Sequence, residues 1–187
     1  GLTRVEFDAN PDQTTPAAMQ FNTRKFTGQN QFGAKAEHAF SRAHGVEFTV
    51  YGGERAVTQW QSIPVATQTA ATQPGGVIDF SRSYGGVDAK YIHRASWGSF
   101  IAGANFDNLD EARRGYENFI GTTLGVTGRL RRHESNRVRN QDVYTQAEVK
   151  VMSQVSLTAG VRHSDVDFKS NDDYIIAGRN PNDSGQA

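Results

Sequence analysis

Six segments in which apolar and polar residues alternate with a period of two, turn-forming breaks between them, and connections of alternating length together predict an all-β chain. The expected architecture is an antiparallel up-and-down meander of about six strands. Ahead of it, Pro11, Pro16 and the polar run Asn10 to Thr15 interrupt regular structure, and a short helical turn is expected near Leu2–Phe7 or Pro16–Gln20.

The first strand begins near Phe26. From Phe32 onward, Ala34, Ala36, His38 and Phe40 share one face while Gly33, Lys35 and Glu37 share the other. After a break at Ser41–Gly45, the second strand sets Val46, Phe48, Val50, Gly52 and Ala56 against Glu47, Thr49, Gly53, Arg55 and Gln59, and runs to about Gln61. Tyr51 is its exception, an aromatic on the polar side. Ser62 to Gly76, rich in Ala, Thr and Gln, reads as a loop. A third strand carries Val87, Ala89 and Tyr91 opposite Asp88 and Lys90. Beyond Arg94–Trp97, a fourth places Phe100, Ala102, Ala104 and Phe106 opposite Gly103, Asn105 and Asp107.

Residues 109–140 read as a long connecting segment. The fifth strand then sets Val143, Thr145, Ala147, Val149 and Val151 against Asp142, Gln146, Glu148 and Lys150. Past Met152–Gln154, the sixth sets Val155, Leu157, Ala159 and Val161 against Ser156, Thr158 and Arg162. Near Asp165 the phase slips, because Val166 and Phe168 are even, and a bulge is expected there. Within 109–140, Leu124, Val126 and Leu130 alternate with Gly125, Thr127 and Arg129, so 122–131 competes for a seventh wall strand. A strand-like excursion inside the loop is preferred, because a crossing there would put the 152–154 turn on the long-loop side.

The connections run short (41–45), long (62–83), short (94–97), long (109–140), short (152–154) and long (from about 169). Transmembrane β-barrels alternate in this way, with short periplasmic turns and long outer loops. No run approaches the ~18 apolar residues of a membrane helix. That does not argue against a barrel, whose alternating strands leave a mean hydropathy like the −0.61 of this chain. A spanning segment must pair every backbone N–H and C=O internally, which a closed barrel does. Lys35, Glu47, Arg55, Asp88, Lys90, Glu148, Lys150 and Arg162 would then face an enclosed interior. On the lipid face a Lys or Arg would cost about 2–4 kcal/mol near the midplane. Phe40, Trp60, Trp97 and Phe106 suit the interfacial girdles. The lipid of an outer membrane is therefore an expected partner.

Charge is balanced, 20 basic against 20 acidic residues among 187, which disfavours nucleic acid as a partner. The absence of cysteine excludes disulfides, thiolate metal sites and cysteine nucleophiles. No serine sits in a nucleophile elbow, and catalysis is not expected. His38, His44, His93, His133 and His163 are scattered, none at helical metal-ligand spacing, so no metal site is expected. Asp172-Asp173 and Asp107 to Asp110 read as solvated acidic turns rather than Ca²⁺ loops. Segment 109–140 has seven arginines against four acids, a surplus of three positives. Arginine forks suit anions, so Arg113, Arg114, Arg131 and Arg132 are candidates to contact an anionic ligand or lipopolysaccharide phosphates. Gln59, Trp60, Tyr84 and Tyr116 are candidates to line an outer vestibule.

Several stretches together resemble the barrel domain of TonB-dependent receptors: Asn22-Thr23-Arg24-Lys25, Gly52-Gly53 with Gln59 to Pro64, Tyr84-Gly85-Gly86-Val87-Asp88, Arg113 to Phe119, Leu157-Thr158-Ala159-Gly160-Val161-Arg162 and Asn180 to Gly185. The siderophore and metal-chelate receptors are the most similar. The resemblance implies a 22-stranded barrel closed by a plug, in the outer membrane of a Gram-negative bacterium. It implies uptake of a ligand such as a ferric siderophore, with energy from TonB, ExbB and ExbD acting through the plug, and no cofactor. Residues 1–187 are expected to be an internal fragment of that barrel, with the plug and the remaining strands absent. A passive porin-type channel and a soluble β-sandwich binding module are the alternatives.

Overall fold

The computed structural model describes residues 2–178 and 180–187; Gly1 lies outside it. Both helical turns form, α1 (Arg4–Ala9) and α2 (Pro16–Gln20). Thr3 and Glu6 close a reciprocal capping box on the first, while Thr15 caps the second and Pro16 occupies its first turn. Six long strands follow: β1 (Arg24–Ala39), β2 (His44–Trp60), β3 (Val77–Ala95), β4 (Gly98–Tyr116), β7 (Leu130–Met152) and β8 (Val155–Asp172). Shorter pieces sit in the long connections: α3 (Val65–Gln68), β5 (Phe119–Ile120), β6 (Thr123–Leu124) and β9 (Gly185–Gln186).

The six long strands, with β9 at one edge, form one antiparallel sheet in the order β1-β2-β3-β4-β7-β8-β9. Short connections (40–43, 96–97, 153–154) alternate with long ones (61–76, 117–129, 173–184) as expected. β5 and β6 pair only with each other, so the 119–124 segment is an excursion within its connection and not a wall strand.

Three expectations change. The strands are longer than the alternation suggested, so 77–83, 109–116 and 130–140 belong to the sheet and the loops shrink accordingly. No bulge interrupts β8 at Asp165: pairing with β7 continues through Gln141↔Asp165 and Asn140↔Val166, and the irregularities lie at Lys150/Met152 and Gly115/Tyr116. The phase slip instead marks a change of medium. Below His163 the odd residues of β8 are apolar, and above it Asp165, Asp167 and Lys169 hold the same face. Trp60, thirdly, is no girdle residue. It lies ten residues beyond Val50, about 30 Å along the strand, where Arg24 stacks 3.7 Å from its ring.

The sheet is a single layer. Among the described residues the buried hydrophobic side chains are Phe21, Val57 and Val77, whereas Phe32, Phe48, Val143, Leu157 and Val161 are 46–69 % exposed. A water-soluble sheet has to cover its apolar face with a second layer, and none is present among these residues. The soluble β-sandwich is therefore not the fold.

Candidate functional site

The pairing register assigns every strand residue to a face and a height. On one face the rows Ala34–Val50–Val87–Phe106, Ala36–Phe48–Ala89–Ala104–Val143–His163 and Val46–Tyr91–Ala102–Thr145–Val161 form an apolar band. It covers about nine residues per strand, the length a tilted strand needs to cross a hydrocarbon layer. Above it, Asn30–Glu54–Ser83–Asp110–Arg137–Lys169 is wholly polar. There Arg137 donates to Asp110 at 2.6 Å and holds its carboxyl below the usual carboxylate range, helped by Asn108. Phe40 and Trp97, in the short turns, and Phe106, at the upper edge, stand where girdle aromatics belong.

The opposite face is polar and internally paired. Glu47 accepts from Lys35 at 2.9 Å and Lys90 at 2.5 Å, bridging three strands. Tyr144 donates to Asp88 at 3.0 Å, Tyr51 donates to Asp107, and Arg162 pairs with Asp142. Such charges are stable only where the face looks into a wet or protein-filled interior.

Two opposed faces, a band of membrane thickness and alternating turn lengths are the geometry of an outer-membrane wall. The family model of TonB dependent receptor-like β-barrels matches residues 2–186. The chain belongs to this family. Its members are outer-membrane receptors and transporters, so the apolar band is the lipid face, the polar face is luminal, and the short turns are periplasmic.

Consecutive residues of a strand point to opposite sides, which divides the receptor's expected ligand residues. Arg113, Arg114, Tyr116, Arg131 and Arg132 lie in β4 and β7 rather than in a loop. Gln59, Arg113 and Arg132 share the luminal parity near the top of the wall, as does Tyr84 about 20 Å lower. Trp60, Arg114 and Tyr116 have the outward parity. Arg131, at the irregular point of β7, turns into the loops, where it donates to Glu117 and to the carbonyls of Ala70 and Gln73. Arg132 pairs with Glu134 at 2.7 Å. Asp107 and Asp110 fall on opposite faces, and Asp172 accepts from the Tyr174 N–H, so neither acidic turn gathers its carboxylates.

The luminal face contains a cavity of about 460 Å³ just above membrane height, lined by Gln29, Tyr51, Arg55, Arg82, Tyr84 and Leu109 among others. Arg55 and Arg82 are direct cross-strand partners. Arg82 is held by Glu111 through Nε at 3.1 Å and Nη2 at 2.5 Å. The Nε of Arg55 is buried and finds no hydrogen-bond partner among the described residues. Arg55 was legible as an inward residue, but Arg82 lay in what read as a loop. Their pairing across 27 residues of chain leaves no periodic signature.

Over the top of the wall the long connections pack together. Asn118 and Gln68 are fully buried. The Asn118 backbone N–H donates to Gln68 Oε1 at 2.7 Å, and its Nδ2 donates to the Gln61 carbonyl at 2.8 Å. Glu117 receives both Arg129 and Arg131, and raises the pKa of Arg129 further.

Proposed function

We propose that residues 1–187 form an arc of the barrel of a receptor that imports a metal chelate of the ferric-siderophore class, and that the chelate's anionic groups pass Arg55 in the luminal cavity. The observation that carries this reading is the Arg55–Arg82 pair. The two arginines are neighbours on β2 and β3, and the one carboxylate beside them, Glu111 on β4, is engaged by Arg82, which leaves the Arg55 Nε as an unpartnered donor above the membrane, on the side from which a ligand enters. Desolvated arginine donors are matched to the carboxylate, hydroxamate or catecholate oxygens of such ligands. Among the described residues, β1 and β8 each expose an unpaired edge over most of their length, so further strands of the same barrel belong on either side. The plug, and through it TonB, ExbB and ExbD, would be contributed by chain outside residues 1–187.

The test uses the full-length receptor in detergent, titrated by tryptophan fluorescence with ferric hydroxamate, catecholate and citrate chelates. One class is expected to bind, and Arg55→Glu to weaken it at least about tenfold with a flatter salt dependence. Failure of every chelate to bind, or uptake that continues in cells lacking TonB, would overturn the reading; the latter result would favour a passive channel.

A further inference from the structure

We infer that His44 and His93 form a two-imidazole site for a divalent first-row transition metal on the outward face of the wall, at its periplasmic rim. His44 opens β2, His93 stands two residues from the end of β3, and the register makes them direct cross-strand partners. Their Nδ1 atoms are 3.4 Å apart. Two nitrogens bound at about 2.0–2.1 Å to a tetrahedral ion are separated by about 3.3–3.4 Å. The pair thus already has the bite of a metal-bound pair, with ring centroids 4.7 Å apart and planes inclined by 39°.

The surroundings fix the donors. Tyr91, on the same face of β3, places its hydroxyl 2.5 Å from His44 Nδ1. A phenol donating there leaves the lone pair on Nδ1 and the proton on Nε2, the tautomer that binds metal through Nδ1. Metal would displace that hydrogen bond and leave the phenol oxygen beside the coordination sphere. The backbone is held as well. Ser41 Oγ accepts from the Ala43 and His44 N–H groups, and the Arg94 N–H donates to the Ala43 carbonyl at 2.7 Å. The carboxylates of Glu37 and Glu47 lie on the luminal face and are engaged by Lys35 and Lys90. The outward donor set is therefore imidazole with phenol, which selects copper, nickel or zinc over magnesium or calcium. Positions the two histidines leave open face water and the lipid headgroups. The bound ion would tie β2 to β3 beside their periplasmic ends.

The experiment takes metal-stripped full-length receptor in detergent and titrates it with Cu²⁺, read by electron paramagnetic resonance, and with Zn²⁺, read by calorimetry. The expected result is a site whose copper spectrum shows two coordinated nitrogens. His44→Ala and His93→Ala should each lose that signature and weaken binding at least tenfold, and His38→Ala and His163→Ala should leave it unchanged. Should either alanine variant fail to assemble, the His44→Gln and His93→Gln pair gives the same comparison. Identical titrations for wild type and both variants would overturn the site, as would a spectrum without two nitrogens. Chelate uptake by the same variants should stay at the wild-type level, so this inference and the receptor reading fail separately.

Discussion

The Tyr144 ring lies over Gly103, its partner across β4 and β7, so closely that a Cβ at position 103 would come 2.5 Å from the phenol. From there its hydroxyl reaches Asp88 on β3, two strands away from its own. The same relationship recurs on the luminal face, where Tyr51 covers Gly86 and Tyr84 covers Gly53. Glycine inside a strand ordinarily weakens it, and a cross-strand aromatic laid over the gap compensates. Gly103→Val should therefore destabilise the full-length receptor by about 1–3 kcal/mol through overpacking. Tyr144→Phe, which keeps the ring and loses only the bond to Asp88, should cost about 0.5–1.5 kcal/mol. Urea unfolding in lipid vesicles would measure both. A neutral Gly103→Val would show that the ring moves aside without cost.

Ala104 and Asn105 are neighbours on β4 that face lipid and lumen respectively. Ala104 sits mid-band, in the row Ala36–Phe48–Ala89–Ala104–Val143–His163. Ala104→Arg is expected to cost about 2–4 kcal/mol of stability in a bilayer. Asn105→Arg enters a luminal row that also holds Asp88 and Asp142 and should cost much less. The two positions share strand and height and receive the same residue, so the β-propensity of the incoming arginine is common to both and the difference reads mainly the face. Equal effects in the same unfolding assay would refute the assignment of faces.

The apolar band was legible in the sequence because lipid enforces strict alternation over nine or so residues. Phe32 to Phe40, Val46 to Val50 and Val155 to Val161 announce themselves for that reason. The upper wall was not legible. Once both faces of a strand are wet, residues such as Arg82, Glu111 and Arg139 satisfy either side equally, and period-two patterning fades although pairing continues. This is why 77–83, 109–116 and 130–140 read as loops, and why the slip at Asp165 read as a bulge. The candidate site was legible only in part. Arginine enrichment in 109–140 pointed to the end of the wall away from the short turns, but the meeting of Arg55 with Arg82, or of His44 with His93, depends on register between separate strands.

Thr72 and Ser41 test the sidedness of the wall. Thr72 lies in the 61–76 connection and Ser41 in the 40–43 turn, both exposed, at opposite ends of the strands. No cysteine in residues 1–187 competes for label. Intact cells expressing the receptor as Thr72→Cys should react with a membrane-impermeant maleimide, while Ser41→Cys should react only after the outer membrane is permeabilised. The reverse pattern would invert the receptor and place the luminal Arg55 cavity on the periplasmic side.

Gln68 and Asn118 link the two long connections through a bond that excludes water. Gln68 Oε1 takes the Asn118 N–H while Gln68 Nε2 donates to the Ile63 carbonyl at 2.6 Å. Gln68→Ala would leave the buried Asn118 N–H without a partner, a local cost of about 1–3 kcal/mol. The wall strands pair with one another and do not rely on this contact, so the penalty should appear as opening of the loops rather than unfolding of the barrel. Hydrogen exchange is the appropriate readout. Amides in 61–76 and 117–129 should exchange about tenfold faster or more, with β3 and β4 protected as before. Unchanged loop exchange would mean that the cap is held by Glu117 and its two arginines, and accelerated exchange in β3 would mean that loop and wall unfold as one unit.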